Sequence, residues 1–169
     1  MTHLTKVALL LGVLALAACS TSADRFGTDP SGGFGADGIA SSGIGDPTSA
    51  GYFQQQVGDR VLFVVDTSDL TPQAQDTLRG QAQFLMSNAG YTAIIEGHAD
   101  ERGTREYNIA LGARRATAVQ DFLVSQGVAP NRLRTVSYGK ERPLEVCSVE
   151  SCYAQNRRAV TVLGAGVGS

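Results

Sequence analysis

Apolar and polar positions follow two registers along the chain. Val61-Leu62-Phe63-Val64-Val65 is a continuous apolar, β-branched run and reads as a buried strand. Thr71 and Pro72 mark a helix start, cap then first helical position. Ala74, Leu78, Ala82 and Leu85 recur at helical spacing behind them, until Asn88-Ala89-Gly90 ends the pattern. Tyr91 to Glu96 reads as a second strand. A charged loop follows, and Thr104 is the expected cap of a second helix that runs to about Gln126, ahead of Gly127 and Pro130. Leu133 to Tyr138 gives a third strand and Arg158 to Leu163 a last one. Residues 139–155 form a long connection with room for a turn of helix, and residues 164–169 a frayed tail. The order βαβαββ predicts an α+β fold, a sandwich whose helices pack against a mixed sheet.

The second helix breaks its own pattern. Leu111, Ala118, Val119, Phe122 and Leu123 fall on one broad side at 100° per residue, and Asn108 and Arg115 fall in the middle of it. A guanidinium on an apolar face is costly unless something accepts its hydrogen bonds. The nearest candidate partner is the carboxylate of Asp100 in the preceding loop. The pattern therefore predicts a polar pocket where the second strand ends, framed by an acid and a base with an amide beside them.

The first 51 residues are of another kind. Val7 to Ala18 is an apolar run of about a dozen residues behind a weakly basic start, too short to span a bilayer but suited to the core of a signal peptide. It ends Leu16-Ala17-Ala18-Cys19, which resembles a lipobox. Residues 1–18 are thus expected to be a signal peptide, with Cys19 acylated and its acyl chains supplying membrane affinity. Residues 19–51 are rich in Gly, Ser, Ala, Asp and Pro and lack a hydrophobic period, which predicts a lipidated N-terminus and a flexible tether. Residues 52–169 remain as the folded domain.

With 169 residues the chain holds one ordinary domain plus appendages, and a net charge of −2 with no basic stripe argues against a general nucleic-acid binder. His98 and Asp100 form a His-x-Asp, but the only other histidine is His3, so no full metal set is evident and no metal or cofactor is expected. His98 is expected to be a pocket wall or a satisfied strand-end histidine. The same scarcity of histidine weakens a Ser-His-Asp reading, and Glu96, Asp100 and Glu101 are too local for two opposed carboxylates. No catalytic residues are expected. Cys147 and Cys152 lie close together in an exported chain, where pairing is the expectation and two free thiols the alternative.

The stretch Gly97-His98-Ala99-Asp100-Glu101-Arg102-Gly103-Thr104, then Tyr107-Asn108 and Arg114-Arg115-Ala116, resembles the signature of OmpA-like peptidoglycan-binding domains. Tyr138-Gly139-Lys140 and Asn156-Arg157-Arg158-Ala159-Val160 extend the resemblance over roughly Val57 to Leu163. It implies the same α+β fold and a ligand, the meso-diaminopimelate of peptidoglycan stem peptides. Asp100 would take its ammonium and Arg115 a carboxylate, for which a planar fork is suited. Asn108 would orient these groups or bind directly. The loop Asp66 to Leu70, with Asp66, Asp69 and Leu70, leads into a helix N-terminus whose N–H groups could hold a second carboxylate. Asp100 and Arg115 are expected to serve the ligand more than the fold. Arg157 or Arg158 is either a further anion contact or a salt-bridge residue, and Tyr138 shapes a pocket edge or packs the sheet end. The resemblance further implies an outer-membrane location, since non-acidic Ser20 follows Cys19, and a protein partner, TolB, with other components of its system. Two other classes stay open: a structural OmpA-like lipoprotein of another envelope or secretion assembly, and a cell-wall hydrolase.

Overall fold

The computed structural model describes residues 45–165. The signal peptide, Cys19 and most of the tether lie outside the described residues. Within them the chain runs α1 (Ala50–Tyr52) into a π-helical turn (Phe53–Gly58), then β1 (Arg60–Leu62), α2 (Pro72–Ser87), β2 (Tyr91–His98) and α3 (Arg105–Ser125). A 3-10 turn (Pro130–Arg132), β3 (Leu133–Gly139), α4 (Glu150–Asn156) and β4 (Arg158–Ala165) complete it.

Ordered structure begins before residue 52. Ser49 caps α1 by accepting a hydrogen bond from the Tyr52 N–H at 3.0 Å, and the Tyr91 hydroxyl donates to the Thr48 carbonyl at 3.1 Å. Phe53 then enters the core, its ring 5.0 Å from that of Phe84. The tether expectation therefore overran by several residues. Polar composition hid them because their apolar anchor lies just beyond the stretch.

The helices follow their signals. Thr71 caps α2 through the Ala74 N–H, with Pro72 in the first turn, and Ala74, Leu78, Ala82 and Leu85 are all buried. Thr104 caps α3 through the Tyr107 N–H. Both helices pack on one face of the sheet, against Val61, Ala93, Ile95 and Ala159. Buried Gln81 crosses this core, donating to the Gly58 carbonyl at 2.7 Å and accepting from the Thr161 hydroxyl at 2.7 Å. Thus its amide is satisfied on both sides, as burial requires.

The sheet order is β1-β4-β2-β3. β2 and β3 are parallel, whereas β4 is antiparallel to β1 and β2. Three strands therefore end, and β4 begins, at one edge of the sheet. The α+β mixed sheet is as the sequence predicts, with α4 as an added element before β4. Two glycines let α3 lie directly on β2: a Cβ on Gly97 would stand 1.8 Å from the Gly112 carbonyl oxygen.

The first strand is shorter than its apolar run. Pairing stops at Leu62, and Val64 and Val65 are about half exposed. The cause is the site: the Val64 and Thr67 carbonyls turn towards Arg115, which draws this segment out of the ladder. On the other face of the sheet, Leu62, Ile94 and Val162 are partly exposed. The segment after β3 folds back over part of that face. There Arg158 donates to the Arg142 carbonyl at 3.2 Å and the Arg142 guanidinium lies 3.7 Å from the centre of the Tyr138 ring. Buried Asn156 clasps the same segment, accepting from the Leu144 and Glu145 N–H groups at 2.8 and 3.0 Å.

Candidate functional site

Four chain segments converge where the parallel strands end. They are the loop after β1, the loop after β2, the first three turns of α3, and the junction of α4 with β4. Between them lies a cavity of about 310 Å³, lined by Val65, Asp66, Asp100, Arg102, Gly103, Tyr107, Asn108, Leu111, Arg115 and Arg157. Asp66, Asp100, Asn108 and Arg115 of the expected set meet here; Asp69 and Leu70 do not line the cavity. The Leu70 carbonyl instead accepts from the Gln75 amide at 3.1 Å.

Arg115 is fully buried, and its partners differ from the expected carboxylate. Nε donates to the Thr67 carbonyl at 2.8 Å, Nη1 to the His98 carbonyl at 2.8 Å and Nη2 to the Val64 carbonyl at 3.2 Å. The guanidinium also lies 5.1 Å from the centre of the Phe63 ring. Main-chain oxygens from two strand ends thus accept three of the five N–H bonds. Two N–H bonds remain, on Nη1 and Nη2. Burial lowers the Arg115 pKa to about 10, against the attraction of Asp100, so the side chain stays charged at neutral pH. Arg115, expected to serve the ligand more than the fold, also has a part in the fold: it ties the β1 loop to the end of β2.

Asp100 is buried too, and two other arginines hold it. Its Oδ2 accepts from Arg102 Nη2 at 2.7 Å and Arg157 Nη1 at 3.2 Å, and its Oδ1 from the Arg102 main-chain N–H at 3.2 Å. Burial alone would raise its pKa; the hydrogen bonds from Arg102 and Arg157 outweigh burial and hold it below the ordinary value. Arg157 is buried between the Phe63 carbonyl at 3.2 Å and Glu150 at 2.6 Å. Asn108 donates to the Arg102 carbonyl at 2.8 Å and so fixes the loop that carries Asp100. At the rim, the Tyr107 hydroxyl donates to Asp66, whose backbone is left-handed with φ 58°.

His98 is neither a pocket wall nor a satisfied histidine. Its ring is buried on the opposite face of the sheet, 5.5 Å from the Tyr138 ring, and among the described residues neither ring nitrogen has a hydrogen-bond partner. Burial, with Arg158 and Arg142 nearby, lowers its pKa to about 4. Tyr138 packs against this ring, away from the cavity. Arg158 lies on the same face as His98, so of the two adjacent arginines only Arg157 reaches the site. Cys147 and Cys152 are bonded to each other, with Cα atoms 6.0 Å apart, across the start of α4. Sequence reasoning missed Arg102 and Glu150 as partners in this network. The two acids and the base of Asp100-Glu101-Arg102 were visible, but the position of α4 was not.

Fold and cavity together define a small α+β domain that places a buried acid and a buried base in one cavity at the end of its sheet. The chain belongs to the OmpA family, whose model matches residues 62–157. It is 49% identical over 164 residues to the peptidoglycan-associated lipoprotein of Mesorhizobium japonicum, covering 96% of each chain. To the protein of that name from Rhizobium meliloti it is 53% identical over 161 residues, 95% of this chain and 87% of the other. Among solved structures it is similar to the peptidoglycan-associated lipoprotein of Burkholderia pseudomallei, with a TM-score of 0.65 and 38% identity over 70% of this chain and all of that one.

Proposed function

We propose that this chain is a cell-envelope lipoprotein that binds peptidoglycan non-covalently through the diaminopimelate of its stem peptides. The observation that carries the reading is one cavity lined by both Asp100 and Arg115. A ligand with an ammonium and a carboxylate on one side chain complements that pair. Asn108 holds the loop in place, Asp66 lies at the rim, and the N–H groups around Asp69 and Leu70 lie further along the same loop as a second carboxylate contact. The relatives' shared name supports peptidoglycan as the polymer bound. In this reading Cys19 carries the lipid, the location is the outer membrane, and residues 19–45 form the tether. The chain then links outer membrane to cell wall as part of the Tol–Pal system, with TolB as its periplasmic partner. Its role is binding and not catalysis.

The test varies the ligand. A muropeptide carrying lysine in place of meso-diaminopimelate keeps the ammonium and lacks the extra carboxylate. A site built for that carboxylate is left with unpaired buried donors. Affinity should fall at least ~100-fold, about 3 kcal/mol. Equal calorimetric affinity for both peptides, or undiminished binding by Asp100→Ala, would place the ligand elsewhere.

A further inference from the structure

The site's own side chains already supply cations. Asp100 Oδ2 accepts from two guanidinium groups, Arg102 at 2.7 Å and Arg157 at 3.2 Å. A ligand ammonium arriving at this carboxylate would be the third cation around one anion. Like charges at such distances repel strongly in a partly buried site, so one arginine must leave. Arg157 cannot leave cheaply. Its side chain is 7% exposed and is pinned by the Phe63 carbonyl and Glu150. Arg102 can, because its side chain is 45% exposed.

A second seat stands beside it. Arg102 Nη2 is 3.7 Å from Glu150 Oε2, and its guanidinium is 4.6 Å from the centre of the Tyr153 ring. Glu150 and Tyr153 are three residues apart on α4 and so lie on neighbouring turns of one helix face. The Cys147–Cys152 bond fixes the start of that helix. An arginine leaving Asp100 thus finds a carboxylate and an aromatic face without crossing solvent.

We propose that Arg102 is an internal competitor for the ligand's ammonium, occupying Asp100 in the empty site and transferring to Glu150 and Tyr153 when the ligand binds. The inference rests on the assignment of Asp100 as ammonium acceptor. It gives Arg102 a role in selectivity. A cation that makes no other contact must displace a bonded guanidinium for one carboxylate, whereas a ligand that also engages Arg115 recovers the cost.

The test is calorimetry of the 169-residue chain in detergent with a muropeptide carrying meso-diaminopimelate. Arg102→Gln should bind at least about threefold tighter, the scale of a partly exposed ion pair, and the advantage should shrink as salt is raised. Glu150→Gln should weaken binding in the native background and lose that effect when combined with Arg102→Gln. If Arg102→Gln binds equally or more weakly while the native chain binds well, Arg102 is a bystander or a ligand contact and the proposal fails. A Glu150→Gln loss of the same size in both backgrounds removes α4 as the second seat. Failure of the native chain to bind this muropeptide would instead sink the Asp100 assignment itself.

Discussion

Acid should destabilise this domain through one side chain before it reaches the binding site. His98 is 2% exposed, and both ring nitrogens lack a hydrogen-bond partner. Arg158 and Arg142 oppose its protonation, Glu96 Oε2 lies 3.7 Å from Nε2, and Tyr138 covers the ring. Burial and the two arginines win, and the folded pKa falls from 6.5 to about 4. In the unfolded chain the same ring takes a proton near 6.5. Below that value unfolding therefore takes up a proton, and stability that is complete above 6.5 drains as pH falls towards 4. At about 1.4 kcal/mol per pH unit, the full interval removes about 3 kcal/mol. Asp100 acts in a separate window. Its folded pKa lies below 3.8, so its contribution survives to that pH and is lost only under stronger acid. Urea unfolding followed by circular dichroism at pH 7, 6, 5 and 4.5 reads the slope. His98→Phe keeps the ring packing and the main-chain carbonyl that Arg115 uses, and removes the titration. Its stability should be nearly flat over that range. A parallel decline in native chain and variant would refute the account, whatever their absolute stabilities.

Arg115→Ala should cost about 3–5 kcal/mol in the same unfolding assay, because it strands three main-chain carbonyls around a cavity. A loss below 1 kcal/mol would mean that water replaces it without penalty. Gly97→Ala should destabilise by about 3 kcal/mol or more, since the added Cβ would meet the main chain of α3 and not a flexible side chain; unchanged thermal unfolding would contradict the close approach. Cys19→Ser should abolish lipid attachment, and membrane flotation at high salt with normal processing would place the anchor elsewhere.

Helix starts were legible because caps and proline act locally, within a turn of Thr71 and Thr104. The core stripe of α2 was legible for the same reason. Arg115 announced itself as a charge on an apolar face, yet its partners did not. Main-chain carbonyls carry no side-chain signature, and those that accept from Arg115 belong to Val64, Thr67 and His98, up to 51 residues away. The hold of Arg157 on Asp100 spans 57 residues and depends on β4 entering the sheet between β1 and β2. Val64 and Val65 misled because hydrophobicity marks what can be buried, while the demand of one guanidinium decides where the strand ends.

The strand directions have a mechanical consequence. The described residues begin close to Tyr91, at the beginning of β2, and the cavity opens beyond His98, at its far end. At about 3.3 Å per residue, the eight residues of β2 separate the two by roughly 25 Å. A membrane anchor upstream and a wall polymer in the cavity would therefore pull on opposite poles of the domain. Tension would run along β2, nearly perpendicular to the hydrogen bonds that join it to β3 and β4. Bonds set this way share the force and must give together, in shear, instead of opening one after another like a zip. A domain held by these two ends would resist being drawn out.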